Sequence, residues 1–471
     1  MRSLVDALER LVGARWVRHR RAELATYAMD GLPTRESYPR IVVIPSSAAE
    51  VRDVLRLLHL AGVPFVARGA GTGLSGGAVA DHDAVLIALT RMNRILRIDA
   101  GQRRAVVQPG VVNARLSEAA APLGLHYVPD PSSQAACTVG GNVAENAGGP
   151  HCLKYGVTTN HIVELEVILP DASVVRLGSL QGEPWGPDLV GLFVGSEGTF
   201  GIVTEITVRL EPIPPGVRTM LADFPTVRGA SEAVSTIIAA GIVPAALEMM
   251  DRACVAAVEA SIYAAGYPTD AAAVLLVELD GQTDAVEAEA ATVETILRDR
   301  GAREVRSASS AADRARLWQG RKKAFGAMGR IAPDLAVQDA VVPRSSLPDI
   351  MDQIEAIRRR HDLSISNVFH AGDGNLHPNI SFDRRDPRLA ERVRAASREI
   401  MAVCVTAGGS ITGEHGVGSD KIDYMPWTFD PETLGAMRAV RRVFDPGERS
   451  NPGKVVPVHA CREWRAAPGV P

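Results

Sequence analysis

The sequence predicts an α+β chain in two parts, and three observations carry that expectation. Between residues 40 and 210, short apolar strands alternate with glycine-rich loops and few helices. Glu211-Pro-Ile-Pro-Pro-Gly216 then reads as a linker. Beyond it, strands and helices alternate as in a sheet with helices packed on it.

The 471 residues are enough for two or three well-buried cores. A hydrophobic fraction of 46% with 23% charged residues is an ordinary soluble balance, and a net charge of -4 gives nucleic acid no electrostatic handle. The five cysteines are scattered and form no Cys-x-x-Cys, which disfavours disulfides and an iron–sulfur cluster and points to a reducing, cytoplasmic setting. Asp6, Glu9 and Arg10 interrupt the apolar positions of Met1 to Arg21, so no signal peptide is expected there. No apolar run approaches the ~18 residues of a transmembrane helix.

Residues 1–38 read as an amphipathic helix and a loop, with the basic stretch Arg15–Arg21 as a solvated helix face. Ile41–Ile44 is a buried strand. Ser47-Ala-Ala-Glu50 is a capping box opening a helix through Leu60, with Val51, Val54, Leu55 and Leu58 on one face. Val63–Ala67 is the next strand. The following loop holds Gly71-x-Gly73-x-x-Gly76, which matches the dinucleotide fingerprint, but no helix starts inside the glycines and Ala84–Leu89 is a strand. The loop therefore reads as a strand–loop–strand cradle for a pyrophosphate, with Arg68 and Ser75 as added donors. Strand 104–108 and helix 112–123 follow, then glycine-rich segments at Pro129–Ser133 and Cys137–Gly149, and strands 162–169, 174–177 and 202–210. After the linker, helices are expected at 226–240, 251–264, 283–299, 310–329, 347–360, 387–407 and 431–443, with strands at 218–224, 245–250, 273–279 and 335–342.

The chemistry concentrates in Asn367–His377, where His370 and His377 flank the turn Gly372-Asp373-Gly374. Two imidazoles and the carboxylate of Glu414 make a three-ligand divalent-metal set with an open position, and the adjacent His415 is a candidate base. The donor set suits zinc, with iron or manganese as alternatives. Asp373 reads as a turn carboxylate and Glu197 as a residue that orders its own loop. His59, His82, His126, His151, His161, His361 and His459 read as structural or exposed.

Several motifs, in order, resemble one family. Arg68-Gly-Ala-Gly-Thr-Gly73, Thr138-Val-Gly-Gly-Asn142, Gly195-Ser-Glu-Gly198 and Gly201-Ile-Val-Thr-Glu205 resemble the FAD-binding domain of the vanillyl-alcohol oxidase/p-cresol methylhydroxylase (PCMH) group. Gly320-Arg-Lys-Lys-Ala-Phe325, His370–His377, Gly413–Gly418 and Asn451-Pro-Gly-Lys454 resemble the C-terminal domain of FAD-linked oxidases, the family of D-lactate and D-2-hydroxyglutarate dehydrogenases and the flavin subunit of bacterial glycolate oxidase.

Beyond the N-terminal helical segment 1–38, the resemblance implies a two-part PCMH-type FAD-binding domain 39–215, a ferredoxin-like α+β cap 216–457 whose C-terminal segment returns to the flavin, and a tail 458–471. It implies that Arg68, Gly69, Ala70, Gly71, Thr72, Gly73 and Ser75 hold the pyrophosphate. Pro131, Ser132, Thr138, Gly141 and Asn142 would line the flavin, Ile202 and Val203 its adenine side, and Asn451 and Lys454 would close the site. Thr72 stands where some relatives attach FAD through a histidine, so the FAD is expected to be non-covalent. His370, His377 and Glu414 would hold the metal, His415 would be the base and Arg321 the clamp for a substrate carboxylate, with Lys322 and Lys323 as weaker candidates.

The implied reaction is oxidation of a small 2-hydroxy acid, glycolate or D-lactate, to the 2-oxo acid. The alternatives are a larger D-2-hydroxy acid such as D-2-hydroxyglutarate, a flavin subunit serving mainly assembly or electron relay, and a metal-dependent hydrolase. Without an iron–sulfur motif, electrons would leave through iron–sulfur and second flavin-type subunits, a quinone, a cytochrome or oxygen. The chain would then be cytoplasmic or held peripherally at the inner membrane by those partners.

Overall fold

The computed structural model describes residues 2–180 and 186–456. His459, Cys461 and the expected tail lie outside the described residues.

A four-stranded sheet opens the chain, in the order Val17–Arg18, Ile41–Val43, Val85–Ala88, Phe65–Arg68. The last three strands are parallel. Helix Ala48–Ala61 covers it as the capping box predicts. The Ser47 side chain accepts the Glu50 N–H, Gly62 closes the helix with φ 65°, and Val51, Val54, Leu55 and Leu58 are buried. Helix Arg2–Val12 places Val5, Leu8 and Val12 in that same core. This helix thus packs on the first sheet through the core it shares with Ala48–Ala61. The stretch Arg15–Arg21 corrects its reading. It is a one-turn helix, the edge strand Val17–Arg18 paired with Ile41–Val43, and the start of a second short helix. Trp16 redirects the chain there, and the guanidinium groups of Arg15 and Arg91 lie 4.4 and 3.7 Å from its ring centroid.

The second sheet is antiparallel, in the order Ile95–Asp99, Arg104–Val107, Ile202–Arg209, Ile162–Ile168, Val174–Gly178. Between these strands the glycine-rich stretch after Cys137, to which the sequence assigns no element, forms helix Val139–Glu145. The Thr138 hydroxyl caps it by accepting the Gly141 N–H at 3.3 Å, and Val139 and Val143 anchor it in the core. Gly140 is needed because a Cβ there would stand 2.5 Å from the Pro109 Cβ.

The third sheet has nine strands. Glu304–Ser307, Gly216–Phe224, Ala273–Gly281, Ala246–Asp251 and Ser364–His370 run side by side, and Pro378–Phe382 joins Asp334–Val337 to this edge. Period-two alternation sorts the side chains. Leu247 and Met249 join the core under helices Val227–Ala239, Thr283–Asp299, Leu347–His361 and Pro387–Thr406. Ala246 and Met250 face Arg252–Glu259 and Ala311–Lys322.

Three expected elements are shorter or broken. Helix 251–264 stops at Glu259, whose carboxylate accepts the N–H groups of Ala265, Gly266 and Tyr267 and turns the chain. Helix 310–329 divides at Lys323, and strand 335–342 divides around Gln338-Asp339. The chain end returns to the first unit, where Ser450 bridges Phe65 in parallel.

Candidate active site

A cavity of about 580 Å³ runs between the two halves, from the Arg68–Gly73 loop past Pro131–Asn142 to His370, His377, Glu414 and His415. It brings together the glycine-rich loops of one half and the histidine set of the other.

The metal-type cluster is built by strand pairing. Glu248 and His370 are register partners on adjacent strands, so their side chains leave the sheet on one face. The turn after His370 requires glycine at Gly374, whose φ is 80° and where a Cβ would run into the Val342 carbonyl. Asp373 accepts the Asn375 N–H at 3.1 Å, as a turn carboxylate. The Nε2 atoms of His370 and His377 lie 3.2 and 3.1 Å from Glu414 Oε1. Their Nδ1 atoms face Glu248 Oε1 at 2.8 Å and the Gln338 carbonyl at 3.2 Å. Those acceptors fix the tautomers and turn both Nε2 lone pairs inward, so the donor set fits a divalent ion. Burial opposes the charged form of His370, but Glu248 and Glu414 outweigh it and hold the imidazole well above its usual range, so an ion binding at Nε2 would displace a proton there. Burial likewise opposes the Glu414 carboxylate, yet the two histidines keep it well below.

His415 stacks on His377, with centroids 4.8 Å apart and planes at 8°. Its Nε2 is 3.7 Å from Glu414 Oε1, and its buried Nδ1 has no hydrogen-bond partner. Burial pushes its pKa down to about 4, so the ring is neutral and able to accept a proton. Asp339, His377 and His415 also converge. Asp339, however, already accepts from Thr412 Oγ1, from the N–H groups of Gly413 and His415 at 3.0 Å, and from Lys421 Nζ at 3.1 Å. It shapes the loop carrying Glu414 and His415.

Arg321 is fully buried and lines the cavity. Its Nη2 is 2.5 Å from Glu248 Oε2, while Nε and Nη1 have no partner. Lys322 is engaged elsewhere, donating to Asp130 Oδ2 at 2.9 Å, and Lys323 is exposed.

On the cofactor side, Gly69, Ala70, Gly71, Thr72 and Gly73 line the cavity, as do Pro131, Ser132, Thr138, Gly141, Asn142, Ile202 and Val203. Gly73 has open space where a Cβ would stand, and at Gly69 a Cβ would collide with Thr138 Oγ1, so bare backbone closes on both sides of the cradle. The Arg68 guanidinium turns inward, donating to the Met29 and Ala78 carbonyls at 2.8 and 3.3 Å, and so supports the loop. Asn451 donates to the Gly77 and Glu197 carbonyls, and Lys454 to that of Val79. These two residues and Ser75 buttress the loop from behind rather than line the cavity. Taken together, the cradle and its open glycine faces fit FAD.

Sequence reasoning missed Glu248, Asp339 and Glu145. Glu248 had one signal, a lone carboxylate inside the apolar strand Ala-Leu-Glu-Met-Met. His151 is structural, as expected, but it bridges charges. Its Nδ1 is 2.9 Å from Asp130 and its Nε2 3.4 Å from Glu278.

A flavin cradle facing a histidine–carboxylate cluster defines a flavin-linked oxidoreductase, and comparison with known proteins agrees. Residues 39–178 match the FAD binding domain family and residues 213–455 the FAD linked oxidases C-terminal domain family. The chain is 46% identical to glycolate oxidase subunit GlcD of Escherichia coli K12, covering 98% of this chain and 93% of that one. It is 33% identical to a D-lactate dehydrogenase of Anaerostipes hadrus, covering 88% and 89%. The solved p-cresol methylhydroxylase superposes with a TM-score of 0.84 at 18% identity over 96% of both chains, which shows the shared fold. The chain belongs to the FAD-linked oxidase family and is an FAD-binding enzyme.

Proposed function

We propose that the enzyme oxidises a small 2-hydroxy acid, glycolate or D-lactate, to the 2-oxo acid. The observation that carries this reading is the convergence of an unengaged guanidinium face, a neutral imidazole and a metal-type donor set in the cavity that holds FAD. Bound FAD, held non-covalently, supplies a hydride acceptor, and a divalent ion on His370, His377 and Glu414 (zinc, with iron or manganese as alternatives) supplies Lewis acidity.

The residues do the rest. Arg321 offers Nε and Nη1 to the substrate carboxylate, while Glu248 anchors its other nitrogen and keeps the fork in place. His415 accepts the hydroxyl proton as the Cα hydrogen leaves. Tyr263, Phe325, Leu335 and Val337 line the cavity beside Lys322 and Lys323, and a larger D-2-hydroxy acid such as D-2-hydroxyglutarate stays the alternative substrate. Electrons leave to partner subunits of iron–sulfur or flavin type, or to a quinone or cytochrome. The enzyme acts in the cytoplasm or at the inner membrane surface through those partners. Among the described residues no helix is long and apolar enough to cross a membrane.

Anaerobic bleaching of the flavin against a panel of 2-hydroxy acids, with and without chelator, tests this. Glycolate or D-lactate should bleach it, and chelator should slow bleaching. Failure of every hydroxy acid would overturn the reaction, and indifference to chelator would overturn the metal alone. Release of the flavin on acid precipitation should confirm non-covalent binding.

A further inference from the structure

Two carboxylates in the cavity wall are used by none of this chemistry. Glu145 ends helix Val139–Glu145, and Glu197 sits in the Gly195–Gly201 turn. Both line the cavity and converge on Gly416, the residue after His415. A Cβ on Gly416 would stand 2.6 Å from Glu197 Oε1 and 2.7 Å from Glu145 Oε2. Glu197 was expected to order its own loop. Instead its carboxylate reaches across to the other half and accepts the Val417 and Gly418 N–H groups, each at 2.7 Å. Glu145 Oε2 is buried with no partner.

The groups around the pair offer it no bonded cation. Lys421 is bonded to Asp339 and Lys454 to the Val79 carbonyl, while Asp30 adds negative charge. Two buried carboxylates that converge on one point without a bonded cation oppose each other's ionisation. Glu197, accepting two N–H groups, is the more readily ionised of the two, and Glu145, whose Oε2 has no partner, the more readily protonated. Burial, together with Glu197 and Asp30, pushes Glu145 well above its usual range. Burial sets Glu197 at about 7 against the pull of its two amides.

We propose that Glu145 and Glu197 form a proton-sharing pair that takes up a second proton when the FAD in this cavity is reduced. In the reaction proposed above, the Cα–H bond breaks with its electron pair going to the flavin, and the O–H proton goes to His415. The substrate is oxidised and the flavin reduced. The added electron pair makes the cavity more negative, and the Glu197 carboxylate becomes a carboxyl by accepting that proton. When the electron acceptor reoxidises the flavin, the proton leaves again. Hydride and proton are both accounted for, with no further reactant.

The test reduces the FAD-loaded enzyme anaerobically at an electrode through a mediator, without substrate, in weak buffer near neutral pH with an indicator dye. Flavin content is read first from its absorbance, so the cofactor is checked apart from the proton, and the absence of substrate separates this proposal from the substrate assignment. Because Glu197 near 7 is already about half protonated at that pH, the wild type should take up as much as about half a proton per two electrons more than the Glu145→Gln/Glu197→Gln double variant. Equal uptake would overturn the proposal. On the wild type alone, the reduced-minus-oxidised infrared spectrum should gain a protonated-carboxyl C=O band that shifts in D2O, and its absence would also overturn it.

Discussion

Glu248 joins two parts of the site. One oxygen faces His370 Nδ1 at 2.8 Å, and the other holds Arg321 Nη2 at 2.5 Å. It thereby sets the tautomer of the proposed metal ligand His370 and the aim of Arg321, the proposed substrate clamp. Glu248→Gln should cut metal affinity about 10–100-fold, the usual effect of losing a carboxylate behind a metal-bound histidine. Metal retained after dialysis against graded chelator measures this, and unchanged retention would remove Glu248 from that role. His415→Ala separates base from ligand. It should keep FAD and metal but slow reductive bleaching by about 10²–10⁴-fold, and normal bleaching would move the base elsewhere. His370, His377, Glu414 and His415 were legible because their spacing and glycine-rich surroundings are local. Glu248 was not, because its meaning depends on register with a strand more than a hundred residues away.

At the scale of elements, caps and periodicity were legible where they are local. Thr283–Asp299 runs as its pattern predicts, and Ala48–Ala61 starts and stops at its caps. Helix Val139–Glu145 was hidden because glycine disfavours helix intrinsically, by about 1 kcal/mol per residue. Its Thr138 cap and its packing on Pro109 override that preference. Thr138→Ala should therefore lower stability by about 1 kcal/mol. It should also weaken FAD retention, since Thr138 Oγ1 stands against Gly69 in the cradle. Denaturant midpoints of the apoprotein and flavin release on gel filtration check the two effects separately. Loss of flavin at unchanged midpoint would mean that Thr138 serves the cofactor and not the helix.

At the scale of the molecule, the halves were legible from the linker and the change of texture, but what joins them was not. Asp130 and His151 belong to the first half, Lys322 and Glu278 to the second, and they form one chain of charges. Glu278 also accepts from Thr219 Oγ1, Arg314 Nη2 and Trp318 Nε1, each at 2.6 Å, so it is fixed within its own half. Burial alone would lower the His151 pKa, but Asp130 and Glu278 overcome that and push it up to about 10. An unfolded histidine titrates near ~6.5. Between these values the folded chain binds the proton and the unfolded chain does not, so stability falls as pH rises. The contribution is fully present below about pH 6.5 and is lost as pH climbs through about 10. His151→Gln should cost about 3–5 kcal/mol at neutral pH, as breaking a buried ion pair does. It should also remove His151's share of the decline, leaving a flatter profile between those limits. Urea midpoints across that window decide it. If wild type and variant decline in parallel, His151 is neutral in the folded protein, and the halves are held by Lys322 and the packing around it.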